Sequence, residues 1–334
     1  MTLSRIARFI AVVMLLLAIV AGGFVWSLVT RPLRLPQSPW EFEVKPGMTF
    51  SAVAHELETA HVITRAWPMI AMARLQGVDR AIKAGNYEIE SGITLPGLLS
   101  RLTQGDATQT SVVFIEGATF ADVRRTLRSQ THVKNTVLDL PDAQLMAKLG
   151  SPGQAAEGRF FPDTYFFAAG SSDVAVLKRA HDTMTARLAA AWDKRAPGLP
   201  LASSDEALVL ASIVEKETGR PADRPLIASV FINRLKNGMR LQTDPTVIYG
   251  MGDKFDGNLR RRDLDTDTPW NTYTRDGLPP TPIAMPSQAS LDAVLHPPAT
   301  EYLYFVARGD GSSQFSANLA DHNRAVAKFQ KGGH

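Results

Sequence analysis

The chain has no cysteine. Disulfides, thiolate zinc sites and cysteine nucleophiles are therefore excluded. The short signatures of several common enzyme classes are missing too. There is no GxSxG, no GxxxxGKS or GxxxxGKT, and no HExxH. Gly250-Met251-Gly252 lacks the third glycine of a dinucleotide loop, since position 255 is Phe255. The seven histidines are dispersed without metal-ligand spacing, so neither a metal nor a cofactor is expected. Excess charge of either sign is small: 36 Lys and Arg stand against 33 Asp and Glu, a net +3. The longest basic run, Arg260-Arg261-Arg262, is answered at once by Asp263, Asp265 and Asp267. It reads as a solvated charged loop, and no nucleic-acid partner is expected.

Long apolar runs are scarce as well. One stretch, residues 9–29, FIAVVMLLLAIVAGGFVWSLV, carries no charge. At about 1.5 Å per residue it spans a hydrocarbon core of about 30 Å. A cleaved signal peptide usually has a shorter apolar region, and this run continues past the small residues Ala21-Gly22-Gly23. The reading is an uncleaved anchor with everything from Thr30 onward on one side of the membrane. Arg5 and Arg8 before it balance Arg31 and Arg34 after it, so charge alone does not orient it.

What remains is ordinary globular composition, 45% hydrophobic and 21% charged over 334 residues, enough for two domains. Residues 31–40 are proline-rich and read as a stalk. Residues 41–105 give the order strand, helix, helix, strand, helix. Thr49 caps a helix with Phe50, Val53, Ala54 and Leu57 on one face, and Leu95, Leu98, Leu99 and Leu102 stripe another. Through VKPGMTFSAVAHEL and IKAGNYEI this unit resembles a LysM-like module, a fold that grips glycans. A plain packing module fits the same pattern. Further on, Thr119 caps Phe120–Leu127, the aromatics of EGRFFPDTYFFAA read mainly as core, and a long helix runs over 172–194.

The chemistry concentrates in 210–250, LASIVEKETGRPADRPLIASVFINRLKNGMRLQTDPTVIYG. Asp205 is the expected cap of a helix running to about Thr218. Leu210, Ile213, Val214 and Glu217 share one face, so Glu217 continues an apolar stripe, whereas Glu215 lies on a mixed face. Burial and the negative helix end both disfavour an ionised Glu217. A carboxyl held neutral near pH 6–7 suits protonation of a glycosidic oxygen. An exposed glutamate at a helix end is the plain alternative. Pro225–Lys236 is a second amphipathic helix, with Asn233 and Arg234 expected at the surface. RLQTDPTVIYG is read as a polar loop offering Gln242, Asp244, Thr246 and Tyr249 to sugars. TPWNTYTRDGLPPTPIAMP adds Asn271 and Tyr273 on a proline-fixed wall. His181 and His322 are expected at the surface or at helix ends.

Runs such as RLQTDPTVIYGMG and NTYTRDGLPP, with EKET at Glu215–Thr218, make the chain similar to the MltG (YceG-like) endolytic murein transglycosylases. The resemblance covers nearly the whole chain. It implies cleavage between N-acetylmuramic acid and N-acetylglucosamine within peptidoglycan strands, leaving 1,6-anhydro-muramyl ends. It implies Glu217 as the catalytic acid, with Gln242, Asp244, Thr246, Tyr249, Asn271 and Tyr273 as candidates for holding the sugars. By analogy it implies an inner-membrane protein with a periplasmic catalytic part, working beside peptidoglycan synthases on nascent strands. The expected fold class is α+β: a transmembrane helix within 1–30, a stalk at 31–40, a LysM-like α/β subdomain at 41–105 and a mixed α+β YceG-like catalytic domain at 106–334. Two other readings remain at this stage. One is a muramidase-type hydrolase using water, with Asp244 as the second acid that such chemistry needs. The other is a membrane-tethered glycan-binding scaffold without activity.

Overall fold

The computed structural model describes residues 29–36, 40–45, 47–83, 85–104, 110–167 and 170–330, with isolated positions between 13 and 27. The anchor expected over 9–29 lies for the most part outside the described residues. Among those described, no helix is long and apolar enough to cross a membrane. The chain divides into two compact units, residues 1–111 with 166–171, and residues 112–165 with 172–334.

In the first unit, β1 (Trp40–Val44), α1 (Phe50–Thr59), α2 (Ala66–Leu75), β2 (Gly85–Ile89) and α3 (Leu95–Thr103) follow the order read from the pattern. β1 and β2 are antiparallel, with Phe42 opposite Tyr87. The Thr49 hydroxyl accepts from the Ala52 amide at 3.2 Å, satisfying one of the donors that a helix start leaves open. Phe50, Val53, Ala54 and Leu57 enter the core together with Leu95, Leu98, Leu99 and Leu102. The proline-rich segment does not stand free where it is described. The Leu33 amide donates to the Ile93 carbonyl at 2.7 Å, and Leu33 and Leu35 pack against this core.

A further pair of short strands, β3 (Thr110–Val113) and β4 (Thr164–Phe167), forms a sheet of its own. The second unit then runs α4 (Phe120–Arg128), α5 (Asp142–Lys148), α6 (Asp173–Asp193), α7 (Ser204–Glu217), α8 (Arg224–Lys236), α9 (Asp244–Met251), α10 (Arg261–Asp265), α11 (Gln288–Leu295), β5 (Tyr304–Ala307), β6 (Ser313–Ser316) and α12 (Leu319–Phe329). α4 starts with the expected Thr119 cap, closed reciprocally by Asp122. α7 is the axis of the core. Every residue from Ala207 to Val214 is buried, and α6, α8 and α11 pack around it. The stretch Ala207–Val214, buried on all sides, needs no polar face, and Ser212 is its one polar residue.

Several local expectations need correction. The cap of α7 is Ser203, whose extended backbone lets its hydroxyl accept from the Glu206 amide at 3.2 Å. Asp205 sits in the first turn and pairs with Arg159 at 2.8 Å. The segment after Thr243 is the helix α9 where a loop was expected. Pro245 falls in its first turn, where no amide donor is required. Arg260–Arg262 lead into the short helix α10, with Arg260 and Arg261 paired to Asp256 and Asp265. His181 is buried against the Phe160 ring, not at the surface.

Candidate active site

Glu217 is the last residue of α7. Thr218 turns to an extended conformation, and its hydroxyl accepts from the Arg220 amide at 3.0 Å. The helix at the centre of the core thus delivers one carboxyl to its open end. That carboxyl faces a cavity of about 530 Å³, bordered also by Arg234, Gln242, Thr243, Asp244 and Tyr273. Burial raises the Glu217 carboxyl to about 7, and the Asp244 charge adds to the rise. A hydrogen bond donated by the Thr243 hydroxyl and the Arg234 cation act in the opposite direction. The result is a group that holds its proton near neutrality yet can release it.

Glu215, two residues earlier, has a different task. Its side chain is 6% exposed. Its Oε2 accepts from the Ser287 amide at 2.9 Å, the Ser287 hydroxyl at 2.5 Å and the Ser290 hydroxyl at 2.7 Å. Arg224 stands 3.7 Å from its other oxygen. A side chain with donors on this scale, at the N-terminus of α11, braces one helix against another.

Three of the expected sugar-holding residues reach the cavity. Gln242 is exposed and has φ +47°, a left-handed conformation uncommon for a residue with a side chain. Asp244 is exposed and accepts from the Tyr273 hydroxyl at 2.6 Å. Burial first, and then the Asp244 carboxylate, push the Tyr273 phenol well above its ordinary range. The other three do not border the cavity. Thr246 is fully buried and bonds the Thr243 carbonyl and the Thr272 hydroxyl, at 2.7 and 2.9 Å. Asn271 is fully buried; its amide donates to the carbonyls of Leu264 and Thr266 and its oxygen accepts from the Tyr273 amide. These two fix the backbone that carries Thr243 and Tyr273. Tyr249 donates instead to Glu157 at 3.0 Å and meets Trp270 edge to face.

Four other residues matter more than their sequence context suggested. Thr243 bonds Glu217 directly. Arg234, expected at the surface, is 8% exposed and lies beside the same cavity. Tyr304 and His322 border it too, their rings stacked at 5.2 Å. Burial and the nearby Arg234 hold the His322 imidazole below its ordinary value, so it is neutral at neutral pH. Glu157 was hidden in an aromatic run. Burial pushes its carboxyl up to about 7, although the Phe120 amide at 3.0 Å and Tyr249 both bond it. It borders none of the described cavity.

The second unit is thus a mixed α+β body whose polar cavity is organised around one buried, near-neutral acid. The YceG-like family model matches residues 42–328, and the chain belongs to the YceG-like family. It is similar to the endolytic murein transglycosylase of Bacillus subtilis (strain 168), 30% identical over 93% of this chain and 91% of that protein. It is also similar to the endolytic murein transglycosylase of Streptococcus pneumoniae (strain D39), 26% identical over 74% of this chain; the match spans 50% of the pneumococcal protein. Among solved structures, a YceG-like protein of Listeria monocytogenes superposes with a TM-score of 0.54 at 29% identity, covering 85% of this chain and 98% of that one.

Proposed function

We propose that this protein is a lytic transglycosylase that cuts peptidoglycan strands internally, with Glu217 as both acid and base. One observation carries the assignment of the residue: the Glu217 carboxyl, raised to about 7, sits in a cavity of about 530 Å³ among hydrogen-bonding side chains. The names borne by the Bacillus and pneumococcal relatives support the substrate and the reaction class.

In the first step neutral Glu217 gives its proton to the glycosidic oxygen as the bond to the muramyl anomeric carbon breaks. The substrate's acetamido group stabilises that carbon. In the second step ionised Glu217 takes the proton of the muramyl C6 hydroxyl, whose oxygen bonds the same carbon. The glutamate ends as it began, no water is consumed, and a 1,6-anhydro ring results. Gln242, Asp244 and Tyr273 contact the sugars in this reading. Thr246 and Asn271 act through the backbone they brace, and Tyr249 through its bond to Glu157. The first unit, LysM-like in its element order, grips the glycan. The N-terminal span anchors the chain in the inner membrane with both units in the periplasm, beside synthases whose nascent strands it terminates.

The test is mass spectrometry of murein sacculi digested by the full chain in detergent. Anhydro-muramyl ends are expected. Asp244, a second carboxylate on the same cavity, favours hydrolysis by water as the competing reading. Reducing muramyl ends would establish hydrolysis and overturn the proposal. Binding of sacculi without cleavage would leave a glycan-binding scaffold.

A further inference from the structure

Arg234 is a buried cation whose anchoring is unusual. Its Nε donates to the Leu303 carbonyl at 2.7 Å, and its Nη1 to the Leu241 carbonyl at 2.7 Å and the Arg240 carbonyl at 3.4 Å. Its guanidinium carbon lies 5.2 Å from the Tyr304 ring centre. Leu241 precedes the Gln242–Asp244 wall, and Leu303 precedes β5 on the other side, so one side chain ties both walls together. Yet among the described residues it forms no ion pair with a carboxylate, and its Nη2 has no hydrogen-bond partner. A guanidinium does not shed its charge, and carbonyl dipoles compensate a buried cation only in part.

The groups around the cavity say where the missing negative charge comes from. Asp244 opens α9 and is exposed, with its oxygen engaged by Tyr273. Tyr273 and Tyr304 are phenols. Burial and then Arg234 itself disfavour the charged form of His322 on α12, which offers no negative charge in any case. Glu217 at the end of α7 interacts with the Arg234 charge and has no ion pair of its own. We propose that Arg234 is the counter-charge of the site, a positioning residue that stabilises the carboxylate Glu217 becomes after giving up its proton. While Glu217 is neutral the cation lacks a partner. Once the proton has moved to the leaving sugar, the two charges compensate across the cavity. The carboxylate persists for the second step, without the reagent water that would otherwise solvate it.

This inference rests on the reading of Glu217 as the acid. It is tested with the full chain in detergent acting on sacculi, following kcat/KM over about pH 4 to 9 for wild type, R234K, R234M and E217Q. The alkaline limb reports loss of the Glu217 proton. In R234M the opposing charge is gone, so the limb moves up by about one pH unit, with a fall in kcat of roughly tenfold or more. R234K keeps a cation, so its limb stays within a few tenths of a unit of wild type, whatever its rate. A limb that stays in place in R234M while the rate falls would reduce Arg234 to a brace and overturn the inference, as would a limb displaced equally in R234K and R234M. Where R234M does not fold, the ¹³C shift of the Glu217 carboxyl is titrated in R234K: a value close to wild type supports the counter-charge, and one raised by about a unit overturns it. Wild-type activity in E217Q would instead overturn the assignment of the acid.

Discussion

Thr243 donates its hydroxyl hydrogen to Glu217, and its own amide is held by the Thr272 hydroxyl at 3.1 Å. A donor aimed at a carboxyl favours the charged form, so it opposes the rise that burial produces. Thr243→Val removes it. The Glu217 value then climbs further above about 7, and the alkaline limb of kcat/KM moves to higher pH by about half a unit. Thr243→Ser keeps the donor and the wild-type limb. The pH profiles of the two variants provide the check.

Glu217→Gln removes the only proton carrier assigned to the reaction. Release of anhydro-muropeptides is expected to fall by about a thousandfold or more, the upper range for general acid–base catalysis. Circular dichroism and binding to sacculi are expected to match wild type, because the amide fills the same space at the helix end.

Stability carries its own pH signature. Glu157 and Glu217 are each raised from 4.5 to about 7 in the folded state. The folded chain therefore binds these protons more tightly than the unfolded chain. Their contribution favours the fold most below about 4.5, is lost as pH rises through about 7, and is flat beyond. The loss is roughly 3 kcal/mol per group. The double variant with Glu157→Gln and Glu217→Gln removes both titrations. Its thermal midpoint is expected to hold more nearly level between pH 5 and 8 than that of wild type, by about those limits. Differential scanning calorimetry across that range is the measurement.

Glu215→Ala separates the neighbouring acid from the reactive one. It strands Arg224 and the donors of Ser287 and Ser290. A loss of about 3 kcal/mol in unfolding free energy is expected from breaking such a buried arrangement. The fraction that stays folded should keep the wild-type alkaline limb, as denaturant titration and a pH profile will show.

Gln242→Gly tests whether strain serves the cavity. Glycine adopts φ +47° without penalty, so the fold is expected to gain up to about 1 kcal/mol. Losing the side-chain amide is expected to raise KM several-fold. A gain in thermal midpoint together with weaker substrate use is the outcome to look for.

Legibility in the sequence followed the range of the interactions. The caps at Thr49 and Thr119 were readable because a helix start is settled within four residues. The placing of Glu217 on the stripe of Leu210, Ile213 and Val214 was readable from helical spacing alone. Arg234 was misread as exposed because its partners, Leu303 and Leu241, are chosen by tertiary packing. Thr246 and Asn271 have the chemistry of sugar ligands, and residue type does not distinguish a group that faces a substrate from one that holds a backbone. Ser203 and Asp205 are both good caps, and only the backbone angle decided between them. Glu157 was passed over because its neighbours are aromatic, although that setting is what raises its carboxyl.

The contrast between α7 and α12 bears on how a polymer without a nearby end gains entry. α7 runs through the core, so its amides should exchange with solvent only when the whole unit opens. α12, which lines the cavity with Leu319, His322 and Val326, buries Ala325 and little else. Its amides should exchange by partial opening at far lower cost. The side of the cavity formed by α12 is thus expected to open at lower cost than the helix that carries Glu217.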